Sequence, residues 1–170
     1  FRSGEIIALM KNNMTNNTAL VVVGPGFTKE HFVKYGREKE VDLFKNCHVN
    51  ATGHAAMNGI HEAIKTGIIK QITKENRVVI ETELIERLFT EIRKNGLATY
   101  GEKEVYHALK NGAVENLLIT DTLVRSKKGE RLLNAVKEIK CDFTIINTMH
   151  DAGKKLEGIG GVGALLRYKI

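Results

Sequence analysis

The chain has no tryptophan, a single proline at position 25 and only two cysteines among its 170 residues. One proline, with 16 glycines and no repeating period, excludes a disordered or collagen-like chain. Cys47 and Cys141 stand far apart and make neither a CxxC pair nor a metal-ligand cluster, so they read as reduced, mostly buried thiols. The histidines form no HExxH and no close Cys/His group. No apolar run approaches the length of a membrane span, so no integral membrane role is expected. Phe1 stands where an initiator would, with no basic-then-apolar signal peptide after it, and the sequence reads as a piece of a longer chain.

What is present suits a folded chain. Hydrophobic residues make up 42% and charged residues 27%, enough to fill a core and stay dissolved, as one ordinary domain or two small ones. The formal net charge is +6: residues 1–80 hold eleven basic against seven acidic side chains, and residues 81–170 fifteen against thirteen. This mild, dispersed excess permits contact with RNA phosphates without demanding it. The lysine pairs Lys127-Lys128 and Lys154-Lys155 read as solvated faces.

Periodicity predicts the end of a helix over residues 6–13 and a β-branched strand over 19–23. Gly24-Pro25-Gly26 breaks the strand, Thr28 is expected as a helix N-cap, and a helix runs to about residue 39. A second strand is expected over 47–51. After Gly53 comes a helix over about 54–65, with Ala56, Ile60 and Ile64 four residues apart. Residues 68–79 mix apolar and charged side chains and support no assignment. Leu84, Ile85, Leu88, Phe89 and Ile92 then repeat at helical spacing, ending at Lys94-Asn95-Gly96. Tyr100-Gly101 is a turn. A helix over 102–111 follows, with Val105, Ala108 and Leu109 on one face and Gly112 ending it. A buried strand over 116–120, a helix over 128–140 with Leu132, Leu133, Val136 and Ile139 inward, and a strand over 143–148 come next. A short helix over 150–156 leads through a glycine-rich loop to a last strand over 164–168. The alternation implies α/β layering with mostly crossover connections. The expected division lies near residues 80–83, giving domains 1–81 and 82–170.

Four stretches, in this order and at this spacing, resemble the Pelota family: Val21-Val22-Val23-Gly24-Pro25-Gly26-Phe27-Thr28-Lys29-Glu30; Tyr100-Gly101 with its helix; Leu117-Leu118-Ile119-Thr120-Asp121 through Leu123 and Arg125; and His150 with Gly153, Leu156, Gly158-Ile159 and Leu165-Leu166-Arg167-Tyr168. The resemblance implies an α/β fold of two small α/β domains. They are an RNase H-like release-factor middle domain and an L30e-like α/β/α sandwich, without the family's N-terminal Sm-like domain. The end just after Tyr168, lacking an acidic tail, reads as archaeal-type. The implied function is ribosome rescue: recognition of the empty A site of a stalled ribosome and promotion of subunit dissociation. The implied partners are the ribosome and its RNA, an elongation-factor-like translational GTPase and an ABC-type recycling ATPase. A cytoplasmic monomer with no membrane contact is expected. The family is also credited with a divalent-metal-dependent mRNA endonuclease activity, mainly in the N-terminal domain; no cofactor is expected in this part.

The residues bear on that chemistry directly. Release factors hydrolyse peptidyl-tRNA with Gly-Gly-Gln. Here the single glutamine, Gln71, follows Lys70, and Gly160-Gly161 is followed by Val162, so peptide release is not expected. Gly24-Pro25-Gly26-Phe27 is no phosphate loop, since no Gly-Lys-Ser/Thr follows; by itself it reads as an ordinary turn with Phe27 buried. The resemblance instead implies that Pro25, Gly26 and Phe27 face the partner GTPase. Arg37, Lys39 and Lys45 read as a solvated face, and the resemblance adds contact with RNA phosphates. Gly158 to Gly163 is no dinucleotide loop, because a strand follows it rather than a helix. His54 and His61 read as satisfied histidines that could share a helix face, and Asp121 as a turn or cap residue. An RNase H-type nuclease needs several carboxylates on two metals, whereas the first half holds only Asp42 and scattered glutamates. A plain L30e-like RNA-binding protein is a third reading, and the distinct first domain counts against it.

Overall fold

A computed structural model describes residues 3–15 and 18–170. Two compact units separate within it, Phe1–Arg77 and Val78–Ile170.

The first unit contains α1 (Ser3–Asn13), β1 (Leu20–Gly24), α2 (Thr28–Lys39), β2 (Cys47–Ala51) and α3 (Ala56–Lys65). β1 and β2 pair in parallel, from Leu20 opposite Cys47 to Gly24 opposite Ala51. Ile7, Val33 and Phe44 form the core against Leu20, Val22 and Val49, with Phe32 packed edge-on to Phe44 at 5.7 Å. Gly36 permits this packing: a Cβ there would lie 2.1 Å from Phe44 Cζ.

Two expectations change here, and a stretch left unassigned from sequence takes a definite form. Thr28 is the first helical residue rather than the cap; Phe27 holds the cap position without a side-chain bond. Gly26, at φ 62, turns the chain so that the helix begins early, and the buried Lys29 closes the turn by donating to the Gly26 carbonyl. On α3 the four-residue spacing marks an outward stripe: Gly59 and Ala63 are buried while Ile60 and Ile64 are 45% and 55% exposed. Residues 68–79 are helical, as part of the single helix α4 (Ile68–Arg93). Its residues up to Arg77 belong to the first unit and the rest to the second, so no single apolar stripe runs its length.

The second unit continues with β3 (Ala98–Tyr100), α5 (Glu102–Lys110), β4 (Val114–Thr120), a 3-10 turn (Leu123–Arg125), α6 (Lys127–Ile139), β5 (Asp142–Ile146), α7 (Asp151–Gly158) and β6 (Val162–Leu166). The sheet order is β3-β6-β4-β5; β4 and β5 are parallel, and β6 is antiparallel to both β3 and β4. Leu117 and Ile119 face a core with Val105, Leu109, Leu132 and Val136 from α5 and α6. Leu118, Ile146 and Leu165 face the opposite core, with Ile85 and Leu88 of α4 and Leu156 of α7. This is a three-layer α/β/α arrangement. β6, a central strand covered on both faces, is buried at every position, which explains its unbroken run of apolar residues and glycine. Among the described residues no helix is long and apolar enough to cross a membrane.

Candidate functional site

Because β1 and β2 are parallel, the loops that follow them leave the same edge of the pair. Parallel α/β sheets commonly bind ligands outside the carboxyl ends of their strands. The first loop holds Pro25, Gly26 and Phe27. No atom lies within 4 Å of a Cβ built on Gly24 or Gly26, so the backbone is open to an approaching partner. Phe27 is 78% exposed, which corrects the reading of an ordinary turn with a buried aromatic. The loop is stiffened from within by the Lys29 bond to Gly26 and by the fixed φ of Pro25.

The second loop, residues 52–55, is tied to the first. Thr52 N–H donates to Gly24 O at 3.2 Å, and Thr52 Oγ1 donates to His54 O at 2.8 Å. Glu62, from the second turn of α3, accepts the Gly53 N–H at 3.0 Å on each carboxylate oxygen, and its Oε2 lies 3.2 Å from His54 Nδ1. The Gly53 N–H, then His54, hold the Glu62 carboxyl below the usual range. His54 is therefore engaged in the loop while His61 stands exposed on α3, and the two do not act together.

Arg37 and Lys39 lie in the last turn of α2, and Lys45 in the connection to β2. All three are exposed, at the amino-terminal edge of the strands, away from the Phe27 tip. The structure thus separates the two predicted sets. Glu38, Glu40 and Asp42 share the segment 37–45, so its three cations are matched by three acids. Glu40 also pairs with Lys11. Burial pushes the nearby Cys47 thiol up, with Arg37 acting against the shift.

In the second unit the carboxyl ends of parallel β4 and β5 carry a second set of polar contacts. Asp121 Oδ1 accepts the Thr148 N–H and hydroxyl, both at 3.0 Å, and the Thr148 N–H holds its carboxyl low. Glu81 is only 1% exposed; its Oε2 accepts the Asn147 N–H at 2.7 Å and lies 2.7 Å from His150 Nε2. Sequence reasoning passed over Glu81. The signal was present: it precedes Ile85 by four residues and Leu88 by seven, on the buried stripe of α4. The glycine-rich loop has Gly160 and Gly161 at positive φ, and Gly161 N–H closes α7 on Leu156 O at 2.9 Å before β6 begins. Among the described residues no three His, Cys, Asp or Glu side chains converge as metal ligands.

Residues 78–170 match the family model described as eRF1 domain 3. A protein pelota homolog of Methanococcus aeolicus is 42% identical over 153 residues, covering 89% of this chain and 44% of the relative. A structure described as a model of ribosome-bound archaeal Pelota and ABCE1 is 36% identical with a TM-score of 0.79, covering 99% of this chain and 49% of that one. The crystal structure of Archaeoglobus fulgidus Pelota is 31% identical with a TM-score of 0.66, covering 99% and 54%. The chain spans less than half the length of the curated relative it matches.

Proposed function

The chain belongs to the Pelota family, and from that premise we propose that it is the release-factor-like part of a ribosome-rescue factor. It acts in the cytoplasm on stalled ribosomes, promoting subunit dissociation with a translational GTPase and an ABC-type ATPase. Support for the ATPase comes from the relative described as ribosome-bound archaeal Pelota and ABCE1. Peptide is not released, because no Gly-Gly-Gln is present to position the attacking water. This part of the chain works as a binding module and needs no cofactor.

The observation that carries the proposal is Phe27, exposed on a loop that is already shaped. An aromatic presented in this way loses little freedom on binding and suits a protein hot spot. Pro25, Gly26 and Phe27 contact the GTPase. Arg37, Lys39 and Lys45 meet ribosomal RNA phosphates through individual pairings, since their segment has no net charge.

The test is a binding titration with the GTP-bound GTPase, paired with a melting curve. Phe27→Ala is expected to cost roughly 2 kcal/mol of affinity, about thirtyfold, while stability moves by less than about 0.5 kcal/mol. Unchanged affinity would refute the assignment. Replacing Arg37, Lys39 and Lys45 together is expected to lower the salt dependence of ribosome binding by roughly one unit of slope per lost phosphate contact. An unaltered slope would remove those residues from the interface.

A further inference from the structure

We propose that Lys29 is the positioning residue of the GTPase-facing loop: its buried ammonium sets the backbone at Gly26 and so the direction in which Phe27 points. Packing does not hold the tip. Pro25, Gly26, Phe27 and Thr28 are exposed, and no atom lies within 4 Å of a Cβ built on Gly24 or Gly26. Among residues 25–31 Lys29 alone is buried. Hydrogen bonds hold the tip instead. Thr52 N–H donates to Gly24 O at 3.2 Å, Lys29 Nζ donates to Gly26 O, and His31 N–H donates to Phe27 O at 3.2 Å. The first fixes where the loop leaves β1, and the last fixes where α2 begins. Between them Gly26 sits at φ 62, and glycine adopts positive and negative φ about equally readily. The Lys29 bond fastens that residue.

Nothing in the packing asks for a cation at this position. Lys29 is the second residue of α2, where the N–H groups of the first turn already present positive charge, so an ammonium there is disfavoured. Taking it out of water adds to the cost, which the Gly26 carbonyl and the half-exposed Glu30, with Oε1 at 3.0 Å, offset. Buried ionic groups of this kind are often replaced by apolar side chains of like size with no loss of stability. Phe27, at the cap position, makes no side-chain bond that could orient it. The lysine therefore serves the shape of the tip rather than the strength of the fold.

The consequence is read in affinity. A loop binds in proportion to the time it spends in its binding shape. Without the Lys29 bond, Gly26 samples both signs of φ and Phe27 swings with it, so ordering the tip becomes a cost of every encounter. The occupant is the GTP-bound translational GTPase to which Pro25, Gly26 and Phe27 are assigned above, and the inference rests on that reading.

The chain, wild type and variants, is titrated with the purified GTP-bound GTPase, and each variant is also melted. Lys29→Met, of similar length but without the donor, is expected to weaken binding about tenfold while the melting temperature is unchanged or higher. Lys29→Arg, which keeps the charge and the donors, is expected to recover most of the affinity. By NMR relaxation the Phe27 amide of Lys29→Met is expected to show a lower order parameter, with the buried Val33 amide unchanged. Phe27→Ala controls for the premise. Weakened binding by Phe27→Ala with wild-type binding by Lys29→Met would overturn the inference alone. A Lys29→Met melting temperature that falls together with the affinity makes Lys29 an ordinary core residue and also overturns it. Wild-type binding by Phe27→Ala removes the GTPase assignment, and the inference with it.

Discussion

Glu62 and Asp121 organise strand-end loops in the two units by accepting backbone N–H groups, Gly53 in one case and Thr148 in the other. Those bonds favour the ionised carboxylate, so the folded pKa of each lies below its ordinary value of 4.5 or 3.8. The sign follows: the stabilisation is fully present above the ordinary value and is lost as pH falls through the lower folded value. Amide exchange at Gly53 and Thr148, followed while acidifying from about pH 5 to about pH 3, is expected to lose protection relative to core amides such as Ile119. Glu62→Gln should abolish the pH response at Gly53 and leave that at Thr148. A response at Gly53 that persists would mean that some other group controls the loop. Gly36 is constrained by space rather than charge. Gly36→Ala pushes a methyl into Phe44, and a destabilisation of about 1–3 kcal/mol is expected in denaturant titrations.

At the scale of elements, helical spacing identifies both α3 and α4, but it does not say which stripe faces inward. Leu84, Ile85, Leu88 and Phe89 pack on the sheet of the second unit. Ile60 and Ile64, with the same kind of spacing, face solvent because the small residues Gly59 and Ala63 make the close contact. The contrast is testable in paired variants. Leu88→Ala, at a fully buried position, is expected to cost about 2–5 kcal/mol, and Ile60→Ala less than about 1 kcal/mol. Equal costs, read from denaturation midpoints, would mean that α3 buries the opposite face. α4 itself was legible only over its second half. The same helix contributes Ile72 to the first unit and Ile85 and Leu88 to the second, so its apolar residues do not line up along one face.

For the whole molecule, among the described residues the second unit holds two continuous apolar clusters, one on each face of a four-stranded sheet, and the first unit holds one small cluster around a strand pair. We therefore propose that residues 78–170 form an independently folding domain, with Glu81 included to satisfy Asn147 and His150. A fragment spanning them is expected to unfold in one cooperative transition with a dispersed amide spectrum; a collapsed spectrum would refute it. The sequence by itself determined the α/β class, the two strands of the first half within a residue or two, the break at Pro25, the family motifs and the lack of Gly-Gly-Gln. These depend on propensity, turn chemistry and residue identity, which each segment carries alone. Only the tertiary structure decided that Phe27 stands outside the core, that Glu81 lies inside it, and that Arg37, Lys39 and Lys45 sit at the opposite strand edge from Phe27. Burial and orientation depend on what another segment places against a side chain, and that neighbour is set by the packing of the whole unit rather than by local sequence.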